Sequence, residues 1–410
     1  MNIAVAQSGG PTCAINASLL GVIKQALKYP NIENIFGSVN GIEGIINDSL
    51  VDLKTTIRTN DDMELLRQTP STVLGSCRYK LPSFEKDSEV YKKIINCFEK
   101  RNISEFYYIG GNDSMDTVVK LTKYINEIGS DIKVIGIPKT IDNDLMITDH
   151  TPGFGSAAKY VATSIQEIIR DSLVYSIQSV TIIEVMGRHA GWLAASSCVL
   201  KANGEKAPHL VYLPEGDFTT ENFIKDVQSM LKKHKAVIVV VSEGIEIDEQ
   251  KSNKSKVKVD NFGHKYLSGI GKTLEEIVSC KFSCKVRSIE LNVMQRCASH
   301  ISSKTDIEEA EQIGSEAVRY LANGGDSGKM MCFKRLLDMP YTVIIEPQDA
   351  KLIANKEKPF PAEWINKEKN NIENRAIDYF LPLIQGEQNI IIKNGVPVHY
   401  KVGDILEKYL

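Results

Sequence analysis

An α/β fold with mainly parallel sheets is predicted for this 410-residue chain by three observations. Short runs rich in Val and Ile alternate with longer amphipathic stretches, Gly or Pro bounds most of the runs, and several runs end in clusters of small and charged residues. Apolar runs of about five residues without alternation suit strands buried on both faces, and such strands belong to parallel sheets covered by helices. The predicted strands are residues 2–6, 105–109, 133–137, 180–185, 209–213 and 236–241. Helices are predicted between them, including 14–27 and 312–322, where apolar residues recur every three or four positions. Residues 248–265 and 351–369 are polar and weakly periodic, which predicts exposed loops, with local packing expected around Phe360, Pro361 and Trp364.

Composition narrows the function. With 42% hydrophobic and 25% charged residues the chain is globular and long enough for two domains. Its 49 Lys+Arg nearly balance 52 Asp+Glu, for a net charge of −3, so no broad positive field exists to hold a nucleic-acid backbone. A local basic pocket for a small phosphorylated ligand is compatible with that total. No apolar run approaches the roughly 20 residues of a membrane helix, and MNIAVAQSGG is unlike a secretory signal, so a cytoplasmic protein without a membrane partner is expected. Only Cys280 and Cys284 of the eight Cys lie close in sequence, and the seven His show no HExxH pattern. Reduced thiols and no protein-ligated transition metal are the expectation.

Four predicted strands end in residues suited to chemistry. Ser8-Gly9-Gly10 follows the first and precedes a helix whose first turn is expected to hold Cys13 to Asn16. Backbone N–H groups and a helix dipole there meet an anion, though a glycine pair equally suits a plain βα turn. The GxGxxG and Walker patterns are both absent. Gly110-Gly111-Asn112-Asp113-Ser114 combines permissive backbone with side chains for phosphate or hydrated metal; Asp113 or Ser114 as a simple N-cap is the plainer reading. Pro138-Lys139-Thr140-Ile141-Asp142-Asn143-Asp144 sets two carboxylates beside a lysine. One carboxylate suits proton acceptance, the other Mg²⁺, and the lysine offsets phosphate charge. Met186-Gly187-Arg188-His189-Ala190-Gly191 brings a cation to the same kind of edge, while His189 and His300 are expected to be hydrogen-bonded structural residues. In open parallel sheets ligands bind outside the carboxyl ends of the strands, so these four turns are expected to share one cleft.

In this order the segments SGG, GSCR (Gly75 to Arg78), GGNDS, PKTIDND, EVMGRHAGWLA (Glu184 to Ala194), LPEG (Leu213 to Gly216), SEG (Ser242 to Gly244) and QR (Gln295, Arg296) resemble the phosphofructokinase family over roughly residues 1–335. The resemblance implies two Rossmann-like three-layer domains with the active site in the cleft between them. Residues 1–153 plus about 295–345 would form the phosphoryl-donor side. Residues 154–294 plus about 346–410 would form the fructose 6-phosphate side, the tail resembling the extra segment of longer pyrophosphate-dependent members.

Carried over position by position, Asp142 matches the catalytic base that takes the C1-hydroxyl proton, and Asp144, with Asn112 and Asp113, matches the Mg²⁺ region. Thr140 matches a residue near the transferred phosphoryl group and Arg188 a cation that stabilises it. Gly10, Arg78, Gly111, Asp113 and Lys139 match the donor site. Met186, Gly187, Glu215 and Arg296, with Thr140 and Arg188, match the sugar-phosphate pocket, Glu215 suited to accept hydrogen bonds from sugar hydroxyls. Arg287 matches an arginine that reaches the 6-phosphate, in many members from a neighbouring subunit, which implies a homodimer or homotetramer.

Two positions speak to the donor. ATP-using members resemble GGDGS and PGTIDND, whereas here Asp113 and Lys139 replace glycines. A carboxylate where the α-phosphate of ATP would pass adds bulk and like-charge repulsion, and an ammonium at Lys139 can bind pyrophosphate directly. Thr117 adds further obstruction near the nucleoside. Other departures concern Asn112, which replaces an Asp; Ser179 and Val293, which replace two usual 6-phosphate donors; and Leu20, which replaces an effector-site Arg. Lys285, Lys329 and Arg335 are candidates to compensate. The rival expectations are an ATP-dependent member, a non-catalytic regulatory subunit, or a diacylglycerol- or NAD-type kinase with a similar GGDG turn.

Overall fold

The computed structural model describes residues 1–247, 269–368 and 370–401, so the loop expected at 248–265 lies outside the described residues. Its backbone forms two principal sheets. The larger has seven strands in the order β11-β10-β5-β4-β1-β2-β3. They are β1 (Asn2–Gln7), β2 (Ile35–Ser38), β3 (Leu50–Asp52), β4 (Ile103–Gly110), β5 (Lys133–Pro138), β10 (Lys329–Asp338) and β11 (Tyr341–Asp349). The smaller has four parallel strands in the order β7-β8-β6-β9, namely β6 (Ser179–Val185), β7 (Leu210–Tyr212), β8 (Ala236–Ser242) and β9 (Lys285–Glu290). Pairing in the larger sheet is parallel except for β2 with β3 and β10 with β11. All six expected strands are present, with ends shifted by one or two residues.

Uninterrupted apolar runs become strands with a core on each face. On β1, Ile3 and Val5 enter one core while Ala4 and Ala6 enter the other. On β6, Ile183 and Val185 face one core, Val180 and Ile182 the second. Each sheet is thus the middle layer of three. Strands β2, β3, β9, β10 and β11 left no clear apolar run because they are short, edge-lying or half exposed; β9, for example, has only two apolar residues, Val286 and Ile289, among Lys285, Arg287, Ser288 and Glu290.

The helix expected at 14–27 spans Ile15–Ala26. Cys13 and Ala14 precede it because the Thr12 hydroxyl accepts from the N–H groups of Ala14 (3.2 Å) and Ile15 (3.0 Å), which delays the first turn. The helix expected at 312–322 begins earlier, as Lys304–Ala322, where the Ser303 side chain accepts from the Asp306 N–H. The two helices meet through glycines. A Cβ on Gly21 would lie 2.0 Å from the Glu311 carbonyl oxygen, and one on Gly314 would lie 2.1 Å from that of Ser18. In the segment 351–368 the local packing expected around Phe360 and Trp364 is present, on Trp192 at ring separations of 5.0 and 6.2 Å, and Ile353 is buried as well. Among the described residues no helix is long and apolar enough to cross a membrane, and all eight cysteines are free thiols.

Chain order fixes where a ligand can enter. The chain runs outward from β1 to β2 and β3, then returns to place β4 on the other side of β1, and β6 likewise lies between β8 and β9. At such reversals the loops leaving neighbouring strands diverge and open a crevice at the carboxyl ends. Substituting Ala for Gly21 should force these helices apart and cost about 1–3 kcal/mol, the usual penalty for overpacking. Urea denaturation of the variant beside the wild type measures it, and an unchanged midpoint would refute the close-packing account.

Candidate active site

The loops at these carboxyl ends converge. The Gly75–Arg78 segment docks on the first turn: Gly9 N–H donates to the Cys77 carbonyl (3.2 Å), and the Ser76 hydroxyl donates to the Gly9 carbonyl (2.6 Å). Gly9 adopts φ +77°, which leaves room for the ammonium of Lys139, 3.1 Å from where a Cβ would stand. Lys139 in turn links two strand ends. Its N–H donates to the Gly110 carbonyl (3.0 Å) and its Nζ to the Gly10 carbonyl (2.7 Å). Arg296 completes the rim, with Nη1 3.6 Å from a Cβ placed on Gly10.

The Gly110–Ser114 turn opens a helix spanning Asn112–Glu127, capped by the backbone of Gly111 rather than by a side chain. The plainer alternative, a cap by Asp113 or Ser114, is thereby excluded. Asp113 instead occupies the first turn, exposed, where the helix dipole favours a carboxylate. Within the next loop the Asp142 N–H donates to the Thr140 hydroxyl (3.1 Å), and that hydroxyl lies 3.4 Å from Asp142 Oδ2. Across the cleft, the Met186 N–H donates to Gln295 Oε1 (3.0 Å), and Gly187 (φ +132°) lets the turn fold onto the Gly187 carbonyl's donor, the Ser242 hydroxyl. Glu215 is clamped by backbone: Gly191 N–H donates to both its oxygens (3.0 and 3.1 Å), and Phe360 N–H donates to Oε1 (2.7 Å).

Electrostatics bind these residues into one set. Burial pushes the Lys139 ammonium down to about 8, with Asp142 and Asp144 opposing the shift and Arg296 and Arg78 assisting it. Burial raises the Asp142 carboxyl, opposed by the Thr140 hydroxyl, Lys139, Arg188 and His189. Asp144 is raised by burial and by the Asp142 and Glu357 charges. Glu243 is pushed up to about 7 by burial and by Asp142, with Arg188 pulling the other way. Like and unlike charges are thus held in a poorly solvated cleft, where each is worth more than at the surface. Among the described residues, three buried side-chain atoms lack a hydrogen-bond partner: Ser18 Oγ, Asn112 Oδ1 and Arg188 Nε. Two of the three belong to this set, and an unpaired buried polar atom costs free energy until something pairs it.

Some expected residues stand elsewhere. Arg287 pairs with Asp171 (2.8 Å), mid-strand opposite Thr181 and short of Val185, where β6 ends. Arg335 is committed inside the protein, 3.0 Å from Asp149 and flanked by the Tyr341 and Tyr379 rings at 5.1 and 4.4 Å, so it is not available to a ligand phosphate. Lys285 rests on the Tyr175 ring at 4.6 Å, and Lys329 opens β10, away from the carboxyl ends. His189 and His300 are both exposed, not buried hydrogen-bonded residues; His189 lies 3.8 Å from Glu357. Among the described residues the buried, hydrogen-bonded histidine is His150, between Asp149 (2.8 Å) and Glu309 (2.7 Å). Glu243 escaped assignment although its Ser-Glu-Gly turn was visible, because one glutamate has no spacing to betray it. A cavity of about 460 Å³ lined by Lys201, His209 and Asp226 lies at the amino-terminal end of β7, apart from this cleft.

Comparison with known proteins agrees with this geometry. The family profile described as Phosphofructokinase matches residues 2–321. The chain is 37% identical to the pyrophosphate--fructose 6-phosphate 1-phosphotransferase of Halomonas elongata, over 97% of this chain and 94% of that one. It is also 37% identical to the protein of the same name in Xanthomonas campestris pv. campestris, over 98% and 96%. Among solved structures, a pyrophosphate-dependent phosphofructokinase from Nitrosospira multiformis superposes with a TM-score of 0.86 at 35% identity, covering 97% of this chain and 95% of that one. Two sheets of this order, a shared cleft at their carboxyl ends and these matches lead to one conclusion: the chain belongs to the phosphofructokinase family.

Proposed function

We propose that this chain transfers a phosphoryl group from pyrophosphate to the C1 hydroxyl of fructose 6-phosphate, giving fructose 1,6-bisphosphate and phosphate. The observation that carries this reading is the pair of unpartnered buried atoms, Asn112 Oδ1 and Arg188 Nε, on the rim of a charged cleft that already holds a carboxylate and an ammonium. The names of the Halomonas and Xanthomonas relatives support it.

Asp142 accepts the C1-hydroxyl proton as oxygen attacks phosphorus, and burial raises its basicity toward that task. Arg188 balances the charge that develops on the transferred group, with Thr140 beside it. Lys139, with Gly10, Gly111 and Arg78, holds pyrophosphate. Asp113 sits in the first helical turn, where its charge repels a longer nucleotide chain. Met186, Gly187, Glu215 and Arg296 take the sugar phosphate, and Arg287 serves the 6-phosphate of a second copy in a homodimer or homotetramer. Residues 1–153 plus about 295–345 form the donor side, joined by the end of β11 and by residues 391–400, which hydrogen-bond to Gln68 and Thr69; residues 154–294 and most of the segment after β11 form the sugar side.

The site fits Mg²⁺. Among the described residues no group of three or more His, Cys, Asp or Glu is arranged as a metal cage, but Mg²⁺ characteristically takes one or two carboxylates and completes its shell with substrate phosphates and water. Asp144, Asn112 Oδ1 and Asp113 are hard oxygen donors of that kind, and the ion they would hold supplies neutralisation of the pyrophosphate charge. Because one phosphoanhydride is exchanged for a phosphoester, the reaction runs in both directions.

Initial rates with pyrophosphate and ATP side by side, with fructose 6-phosphate and Mg²⁺, test the donor; equal rates with ATP would sink the assignment. Asp142→Asn should lower kcat by about 10²–10⁴, the usual worth of a general base, while fructose 6-phosphate still binds in calorimetry. Full turnover in that variant would remove Asp142 from its role. Lys139 carries its charge below pH 8 or so and loses it above, because its pKa is lowered to about 8. The free enzyme's kcat/KM for pyrophosphate should therefore fall as pH rises through that value, and Lys139→Arg, which stays charged, should flatten the fall. A decline of the same shape in both proteins would assign the titration to another group.

A further inference from the structure

The loop that carries Asp142 and Asp144 is strained, and the groups that hold it come from the far end of the chain. Asn143 has φ +55° and Ile147 φ +72°. A β-branched residue in the left-handed region brings its side chain against the backbone, so the conformation persists only where its surroundings impose it. Those surroundings are specific. Lys358 Nζ donates to the carbonyls of Thr148 (3.0 Å) and Asp149 (2.8 Å) and lies 3.5 Å from Asn143 Oδ1. An ammonium has three N–H bonds, and all three point at this one loop. The backbone N–H of Lys358 donates to the Asp144 carbonyl (2.7 Å), beside an antiparallel bridge from Leu145 to Glu357. Tyr379 adds a second clamp: its hydroxyl donates to the Asp149 carbonyl (2.7 Å) and accepts from Asn143 Nδ2 (2.9 Å).

The same short segment reaches the opposite side of the cleft. The Lys358 carbonyl accepts from the Trp192 indole N–H (3.0 Å), its ammonium lies 4.9 Å from the Trp192 ring, and Phe360 N–H donates to Glu215. Residues 358–360 therefore touch the backbone of the Asp142–Asp144 loop and the carboxylate of Glu215 within three positions.

We propose that Lys358 and Tyr379 are positioning residues of the phosphoryl-transfer loop, fixing its strained backbone so that Asp142 and Asp144 stand in register with Glu215 across the cleft. The inference rests on the proposed function for the reaction it serves. Neither residue is assigned a contact with substrate; each acts through the loop, and a misplacement of about 1 Å at reacting groups suffices to cost on the order of 10²-fold in rate.

Lys358→Met keeps the length and removes the ammonium; Tyr379→Phe removes one hydroxyl. The expected result is a fall in kcat of about 10–100-fold for the first and a smaller fall for the second, with KM for both substrates within about threefold of wild type. Amide exchange in peptides covering 140–149 should accelerate about tenfold while those covering β1 and β6 keep their wild-type rates. Wild-type kcat and wild-type loop exchange in the folded variants would overturn the inference. So would exchange that accelerates throughout the molecule, which marks a general loss of stability instead of a positioning role. If Lys358→Met does not fold, Tyr379→Phe decides by the same two measurements. Wild-type protein is assayed in parallel with pyrophosphate and with ATP: no turnover with either overturns the proposed function, and loop exchange still decides the positioning role.

Discussion

A lysine ammonium held on a backbone carbonyl inside the protein organises this molecule. Lys139 Nζ meets the Gly10 carbonyl at 2.7 Å, and its own N–H meets the Gly110 carbonyl. Those contacts tie together the loops leaving β1, β4 and β5, the strands flanking the reversal in the larger sheet. A buried ammonium is costly unless opposite charge stands near it. Asp142 and Asp144 answer that requirement; the burial of Asp142 is eased in turn by Lys139 and Arg188, and that of Asp144 by Lys358. Neither sign could occupy the cleft alone.

The same constraint accounts for the architecture around the site. Desolvated charge must be surrounded by walls that exclude water without supplying competing groups, and three-layer sheets supply such walls. Apolar β1, β4 and β5 residues fill both faces of the larger sheet, which leaves only the strand ends free for polar work. The four-stranded sheet repeats the arrangement and contributes Arg188 and Glu243 from the ends of β6 and β8. Phe360 and Trp364 then pack on Trp192, so part of a stretch of polar sequence joins the core.

Partner choice separates residues that look equivalent in the sequence. Arg188, Arg287, Arg296 and Arg335 are all candidate phosphate ligands by type. Arg335 is spent on Asp149 between two tyrosine rings, whereas Arg188 retains a buried Nε without partner. A guanidinium already paired with a carboxylate is much less available to an anion, whereas one desolvated and unpaired gains most when an anion arrives.

The sequence by itself determined the strands that form the centres of both sheets, because burial on two faces demands uninterrupted apolar runs. It also determined the Lys139, Thr140, Asp142 and Arg188 turns, because small and charged residues directly after such runs have nowhere to go but the carboxyl edge. Edge strands such as β9, with four polar or charged residues of six, left no comparable mark. Tertiary structure alone decided which distant residues serve the site. Lys358 and Tyr379 lie 209 to 230 positions beyond the carbonyls they hold, and their partners there are mostly backbone carbonyls, which no side-chain pattern encodes. Glu243, Glu357 and the pairing of each arginine were likewise settled by packing, because contacts between residues far apart in the chain exist only once both sheets have folded and met.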